Sequence, residues 1–280
     1  MCLVAYERGN SNIKYANPKT PLWAIVNVTN ECNMSCEFCF NKHNHAPVMA
    51  LSDYRAMLIK LQTIGIKQVT LCGGEPTTHP DFEQLLIEAK AAKFKIHLLT
   101  NGLEMDKILA ADAKDLLNQI QFNWNVDTYK HLSESIRKIQ NSRVAVTISG
   151  TEANVAHLAE LVQAANDIGV DKIRIWELCG AGKTDTSLSI QEFDATIQPL
   201  IPDVYGFKQS YDPDVQGDLY IPCMTASGAA MFINTNGDIT RCCAELTSPL
   251  IANILTESSF DVLQKYREFV ATLPKKCFAR

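Results

Sequence analysis

The sequence predicts an α/β fold, a parallel sheet wound with helices, followed by a smaller C-terminal unit. Three observations predict it. Short runs rich in Val, Ile, Leu and Phe alternate with longer segments of helical period, the pattern of strands joined by helical crossovers. The alternation lapses over residues 203–222, which are rich in Pro, Gly, Asp and Tyr and read as irregular chain rather than another βα unit. Beyond them Asn236-Gly237 separates two β-like runs, the strongest short-range hairpin signal. The expected organisation is a lead-in over 1–22, a core over 23–202 and an extension of hairpin plus helix over 203–280.

The core elements follow in order. The strands are expected at Ala24–Thr29, Gln68–Leu71, Lys95–Thr100, Gln119–Val126, Arg143–Ser149 and Lys172–Leu178, each a short apolar or β-branched run. Between them Ser52–Ile64, Asp81–Lys93, Met105–Leu117, Tyr129–Ile139 and Asn154–Ile168 have one apolar face at helical spacing. A further helix is expected to start at Ser189, where Ser189 and Glu192 form a capping box. Spacing alone does not separate an open doubly wound sheet from a curved one. In either architecture functional groups gather at the carboxyl ends of the strands.

Composition narrows the class. With 280 residues, 46% of them hydrophobic and 20% charged, the chain is long enough for one large core with an appendage. No apolar stretch approaches the length of a membrane span, and the N-terminus lacks the basic-then-apolar signature of a secretory signal, so a cytoplasmic protein without a membrane partner is expected. Ten cysteines then read as metal ligands and reduced thiols rather than disulfides. A net charge of −5 without basic blocks argues against nucleic acid as a partner.

The chemistry is carried first by Cys32-x3-Cys36-x2-Cys39, at the mouth of the first predicted strand. A structural zinc site wants four ligands, usually as two close pairs. A 4Fe-4S cluster also takes four thiolates, so a three-cysteine loop leaves one iron able to bind something that reacts. The second motif, Leu71-Cys72-Gly73-Gly74-Glu75-Pro76, closes the next strand, and two glycines there read either as a tight turn or as a place where the main chain approaches a ligand. Glu75 supplies an acceptor and Pro76 restricts the exit.

Together CxxxCxxC and GGEP resemble the radical S-adenosylmethionine (radical SAM) enzymes. The resemblance extends through Thr100-Asn101-Gly102, Asn125-Val126-Asp127 and Val146–Asn154, and covers roughly residues 23–178. It implies a TIM-like (β/α)6 partial barrel, with Cys32, Cys36 and Cys39 holding a 4Fe-4S cluster whose open iron takes the amino and carboxylate groups of S-adenosylmethionine. Gly73, Gly74 and Glu75 then meet the amino end of that molecule, and Asn101, Asn125, Asp127 and Ser149, with Asn154, supply polar contacts at the strand ends. Asn125 and Asp127 also read as a solvent-facing strand end. Phe38 either shields the cluster and touches adenine or packs on the rim. Arg174 and Trp176 place a cation and an aromatic ring at the adenine or substrate end, and Trp176 alternatively packs under a helix.

In the extension, Cys223-x13-Gly237-x4-Cys242 resembles the element that opens twitch and SPASM auxiliary iron-sulfur domains. Cys223, Cys242 and Cys277 are then candidate ligands, with Cys243 as a fourth, although adjacent side chains on a strand point to opposite faces. Buried thiols beside a hairpin are the alternative. Cys72 and Cys179 read as barrel thiols. The resemblance implies hydrogen-atom abstraction by a 5'-deoxyadenosyl radical, and an auxiliary cluster would make the net reaction an oxidation. A reducing partner such as flavodoxin or ferredoxin is implied. About twenty residues precede the first predicted strand, too few for a separate leader-recognition domain, so the reading leans to a small polar metabolite or short peptide. A ribosomal peptide maturase, forming a cross-link or an epimer, is the alternative, and a non-catalytic iron-sulfur carrier or sensor is the alternative of another class.

Overall fold

The computed structural model describes residues 4–8, 21–39, 41, 48–176, 195–197, 199, 208–209, 228–242 and 249–272. In chain order the strands and helices are β1 (Val4–Arg8), β2 (Trp23–Thr29), α1 (Leu51–Ile64), β3 (Gln68–Gly73), α2 (Phe82–Ala91), β4 (Lys95–Thr100), α3 (Met105–Ala113) and β5 (Gln119–Asn123). They continue with α4 (Tyr129–Ile136), β6 (Arg143–Ser149), α5 (Glu152–Ala156), α6 (Leu158–Asp167), β7 (Lys172–Trp176), β8 (Lys208–Gln209), β9 (Ala230–Ile233), β10 (Asp238–Thr240), β11 (Leu250–Asn253) and α7 (Ser259–Thr272).

All described strands lie in one sheet, ordered β11-β10-β9-β2-β3-β4-β5-β6-β7-β1-β8. From β2 to β7 the neighbours are parallel and sequential, each return being made by helix, as parallel pairing requires. The sheet is not closed: β11 and β8 are its edges. β1 packs antiparallel on β7, so part of the predicted lead-in is a strand. The Asn236-Gly237 hairpin forms as expected, with Ile239 opposite Ile233, and β9 also runs parallel to β2 from Trp23↔Ala230 to Val26↔Ile233. The hairpin therefore extends the core sheet. Lys60 of α1 donates from Nζ to the carbonyls of Leu255 and Glu257 at 2.8 and 2.7 Å, and the Tyr266 hydroxyl of α7 donates to the Ala230 carbonyl.

Alternation along each strand divides the side chains between two faces. Val26 and Val28, Val69 and Leu71, Ile96 and Leu98, Ile120 and Phe122, Val146 and Ile148, and Ile173 and Ile175 pack against the helices in one continuous core. The opposite face carries a smaller apolar set, Trp23, Ile25, Cys72 and Phe232 with Leu99, and otherwise polar side chains. With the helices all on the other side, this bare face is the inner, concave one of a parallel sheet wound with helices, and the Arg174 side chain on β7 crosses it to Gln121 on β5.

Several predicted boundaries move inward for local reasons. β5 ends at Asn123 rather than Val126, because the Asn125 side chain accepts from the backbone N–H groups of Asp127 and Thr128 at 3.0 and 3.1 Å, an Asx turn that competes with strand pairing. α2 and α3 stop before the left-handed residues Lys93 (φ 61°) and Asp115 (φ 52°), and α4 stops at Ile136. The predicted helix Asn154–Ile168 is two helices with His157 between them. The helix expected from Ser189, the stretch 203–222 and the end of the run to Leu178 lie outside the described residues, as do Cys2, Cys179, Cys223, Cys243 and Cys277.

Candidate functional site

The cysteine loop leaves β2 at Thr29 and is suspended from the end of β3. Gly74 N–H donates to the Thr29 carbonyl at 2.7 Å and Glu75 N–H to the Glu31 carbonyl at 2.8 Å. A Cβ on Gly73 would lie 2.1 Å from the Thr29 carbonyl oxygen, and one on Gly74 would lie 2.2 Å from that of Glu31. Gly73 moreover has φ +144°, which disfavours any L side chain. Both glycines therefore let β3 approach the main chain that leads into Cys32. Inside the turn Met34 N–H donates to Cys32 Sγ at 3.4 Å and Cys39 N–H to the Cys36 carbonyl at 3.1 Å. Phe38 is half-buried between the last two cysteines.

Glu75 ties this loop to the next strand. Its carboxylate is 1% exposed; Oε1 accepts from the Thr77 N–H and hydroxyl and from the Thr100 hydroxyl, and Oε2 accepts from Asn101 N–H at 2.7 Å. Burial raises its pKa above the usual carboxylate value, and these hydrogen bonds oppose that rise. Each carboxylate oxygen offers about two acceptor positions, and Oε2 accepts from Asn101 N–H alone, so Oε2 has room for one more donor. The Asn101 side chain reaches the cysteine loop, its Nδ2 lying 2.7 Å from Asn33 Oδ1 and 3.9 Å from Cys32 Sγ. Thr100-Asn101-Gly102 and GGEP are thus brought together on one rim.

The rim continues at β5 and β6. Asn154, 1% exposed, donates to the Ser149 carbonyl at 2.8 Å and accepts from Val126 N–H at 3.1 Å, fastening the end of β6 to the loop after β5. Asn125 spends its Oδ1 on the Asx turn. Asp127 is exposed and close enough to Cys36 to act on its thiol. Ser149 pairs in register with Trp176, and both are half-buried.

The three thiols are free. Burial first, then the neighbouring Cys39 and Cys32, push Cys36 up to about 11. Burial likewise raises Cys32, against the hydrogen bond from Met34 N–H. Thiols held so high become good thiolate ligands only beside concentrated positive charge, which bound metal supplies. Among the described residues no three His, Cys, Asp or Glu side chains stand close enough to share one metal ion. A four-iron cluster places each cysteine on a different iron and needs a wider set. In number and donor type Cys32, Cys36 and Cys39 fit that group. Of the extension's candidate ligands only Cys242 is described, half-buried just beyond β10.

Sequence reading overlooked two groups. Asn30 accepts from Asn27 and Asn41 at 2.7 and 3.0 Å, bracing the base of the cysteine loop, and Thr77 holds Glu75 beside Thr100. The other group lines the concave face: Gln68, His97, Gln121 and Thr147. Its signal was available, because polar residues recur at every second position of the inner strands, as in Gln68-x-Thr70, Lys95-x-His97 and Gln119-x-Gln121.

Comparison with known proteins follows this geometry. Residues 26–180 match the family model of the "Radical SAM superfamily". The chain is 26% identical over 179 residues to the PqqA peptide cyclase of Gluconobacter oxydans, covering 56% of this chain and 49% of that protein. It is 22% identical over 191 residues to the sporulation killing factor maturation protein SkfB of Bacillus subtilis, covering 62% of this chain and 47% of that protein. The chain thus spans about half the length of these curated relatives. In fold it is similar to Streptococcus suis SuiB bound to its precursor peptide SuiA, with a TM-score of 0.68 at 16% identity over 89% of this chain and 65% of that one.

Proposed function

The chain belongs to the radical SAM superfamily, and from that premise we propose that it is a radical enzyme that modifies a peptide. The observation that carries the radical part is the suspension of Cys32, Cys36 and Cys39 from the Gly74 and Glu75 amides, with Asn101 against Cys32. The peptide part is supported by the relatives, two of which are named for peptide cyclisation and for maturation of a killing factor. That favours the maturase over the small-metabolite reading, which leaned on the short stretch ahead of the core.

In this proposal a cluster on the three cysteines, with S-adenosylmethionine on its open iron, supplies a 5'-deoxyadenosyl radical for hydrogen-atom abstraction. The protein's own residues hold and shield. Glu75 Oε2 takes the ammonium of S-adenosylmethionine as its remaining donor, with the Gly73 and Gly74 main chain alongside. Phe38 covers the loop. Asn101, Asn125, Asp127, Ser149 and Trp176 border the ribose, adenine and substrate. An electron carrier of the flavodoxin or ferredoxin type reduces the centre. An auxiliary cluster on Cys223, Cys242 and Cys277, with Cys243 as a fourth ligand, would make the modification an oxidation.

Anaerobically reconstituted protein incubated with dithionite and S-adenosylmethionine is expected to form 5'-deoxyadenosine, measured by chromatography and mass spectrometry. Its absence would leave an iron-sulfur carrier or sensor in place of the enzyme. Iron content separates the finer readings: roughly eight irons per chain, reduced by Cys223→Ala, supports the auxiliary cluster, whereas about four, unchanged by that substitution, leaves only the barrel cluster. Deuterium transfer into 5'-deoxyadenosine from labelled peptides, compared with labelled polar metabolites, tests the substrate class.

A further inference from the structure

Two polar side chains of the inner face stand at the level of the rim motifs and belong to none of them. Asn123 ends β5 and pairs in register with Thr147 of β6. Alternation puts both on the inner face, because their strand neighbours Phe122, Val146 and Ile148 pack into the core. Thr147 is 6% exposed, and its hydroxyl has no hydrogen-bond partner among the described residues. Arg174, its neighbour on β7, is turned down the sheet to Gln121 and leaves that hydroxyl unmet. Asn123 is held through its main chain, its carbonyl accepting from the Thr128 hydroxyl at 3.2 Å, while its side-chain amide has no partner among the described residues. One step up the sheet, where Ser149 pairs with Trp176, the buried indole N–H of Trp176 is a third group without a partner. Buried polar atoms are nearly always paired in native proteins, so these neighbours mark a place where a ligand completes the bonding.

Strand register fixes where that place is. Leu99 and Thr100 of β4 pair with Gln121 and Phe122, so the next step sets Asn123 beside Asn101, whose amide lies 3.9 Å from Cys32 Sγ. At ~4.8 Å per strand, Asn123 and Thr147 are about 5 and 10 Å across the sheet from Asn101. A ligand on this pair therefore lies next to the cysteine loop, not on the floor of the sheet. Its kind follows from the groups themselves. None of the three carries charge, and they mix donors with an acceptor: the Thr147 O–H and Trp176 N–H donate, and Asn123 Oδ1 accepts. A secondary amide is the complement, because its carbonyl oxygen accepts two hydrogen bonds and its N–H donates one. A carboxylate or phosphate would leave the Asn123 oxygen without a donor.

We propose that Asn123 and Thr147, with the Trp176 indole N–H above them, form a subsite that takes one peptide group of the substrate and so positions the adjoining carbon beside the cysteine loop. In the polar run Asn123-Trp124-Asn125 the amide that faces a ligand is the first, because the second is spent on its own turn. As a substrate subsite it rests on the peptide-modifying reading above; the amide site as such does not.

The test is thermal unfolding of the reconstituted holoenzyme with saturating S-adenosylmethionine, titrated separately with N-acetylalanine methylamide, which carries neutral peptide groups, and with myo-inositol, which carries only hydroxyls. Saturable binding by the folded state raises the midpoint, by about 3 °C at about ten times Kd for a protein of this size. The amide is expected to give this rise and the polyol none. Thr147→Val and Asn123→Ala are each expected to weaken the amide response about fivefold, the loss of one hydrogen bond. Ligand-free Thr147→Val is expected to unfold no earlier than the wild type, because its hydroxyl has no internal bond to lose; a midpoint lowered by several degrees would reveal an internal partner and overturn the subsite. It is likewise overturned by no amide response, by a response to myo-inositol alone, or by a wild-type amide response in both variants. Should Asn123→Ala not fold, a wild-type response in Thr147→Val overturns it by itself. Equilibrium dialysis of S-adenosylmethionine uses the same proteins, and weaker retention by Thr147→Val with no amide response in the wild type moves the pair to the cofactor and overturns the substrate subsite. Formation of 5'-deoxyadenosine by the wild type is measured in parallel, so failure of the enzyme reading and failure of the amide subsite appear in different assays.

Discussion

Replacing Gly74 by Ala tests the junction on which the cysteine loop hangs. The added Cβ would stand 2.2 Å from the Glu31 carbonyl oxygen, 2.6 Å from its carbon and 2.7 Å from the Asn30 oxygen, against an ordinary contact of at least 3.4 Å. All three neighbours are main chain, so no rotamer change relieves the overlap. The loop must retreat by more than an ångström, which sacrifices the Gly74→Thr29 and Glu75→Glu31 hydrogen bonds of 2.7 and 2.8 Å. At about 1 kcal/mol net for each bond and ~1–3 kcal/mol for residual overpacking, the cost is about 3–5 kcal/mol. Urea unfolding of the iron-free chain reads that cost, and iron per chain after anaerobic reconstitution reads the displacement of Cys32. The expected result is a large loss of both. Gly169→Ala is the control: it has φ +74° with no atom within 4 Å of its would-be Cβ, so it incurs only the left-handed backbone penalty of roughly 1–2 kcal/mol and keeps its iron. A Gly74→Ala protein with full iron and stability within about 1 kcal/mol of the wild type would refute the suspension of the loop from β3.

Three further outcomes are expected. Glu75→Gln sets an amide N–H₂ either against the Asn101 N–H now bonded to Oε2 or against the donors on Oε1, so the apoprotein should lose about 2 kcal/mol in urea; an unchanged midpoint would show that the carboxylate is not bracing the rim. At Asp112, 3% exposed, burial alone would raise the pKa, but the N–H groups of Gln140 and Asn141 and the Ser142 hydroxyl outweigh it and hold the carboxyl below its ordinary 3.8. A depressed carboxylate stabilises the fold above that ordinary value and loses its contribution as pH falls through the folded one. Asp112→Asn should therefore destabilise at pH 7 by about 2 kcal/mol, with a gap from the wild type that narrows below pH 3.8; a gap that does not change with pH counts against charge as the cause. Lys60→Met removes the donor to the Leu255 and Glu257 carbonyls. Faster hydrogen exchange in β11 and α7 with little change in β4 to β6 is expected, and uniform acceleration would contradict a local tie.

The polar rim illustrates how far residue patterns reach. Cys32, Cys36 and Cys39, GGEP and Thr100-Asn101-Gly102 were legible as motifs because each is contiguous and ends a β-run. Their mutual bonds were not, since those that Asn101 donates to Glu75 and to Cys32 join residues separated in sequence by 26 and 69 positions. The two glycines read from sequence as a turn or as room for a ligand, whereas here their missing Cβ atoms admit the main chain of the cysteine loop. Asn125 was read as a possible ligand contact, and its oxygen is engaged in a local turn. The polar alternation on the inner strands was visible and overlooked, because a polar residue in a strand ordinarily faces water.

The sequence by itself determined the alternation of strands and helices, the three-thiol loop and the Asn236-Gly237 hairpin. All three depend on local spacing, which the backbone geometry of helix, strand and turn converts directly into structure. Only the tertiary structure decided that the hairpin joins β2 in the same sheet, that β1 closes on β7, and that Gln121, Thr147 and Arg174 meet on one concave face. Those juxtapositions depend on strand order and sheet curvature, which long-range pairing sets and no local window of residues encodes.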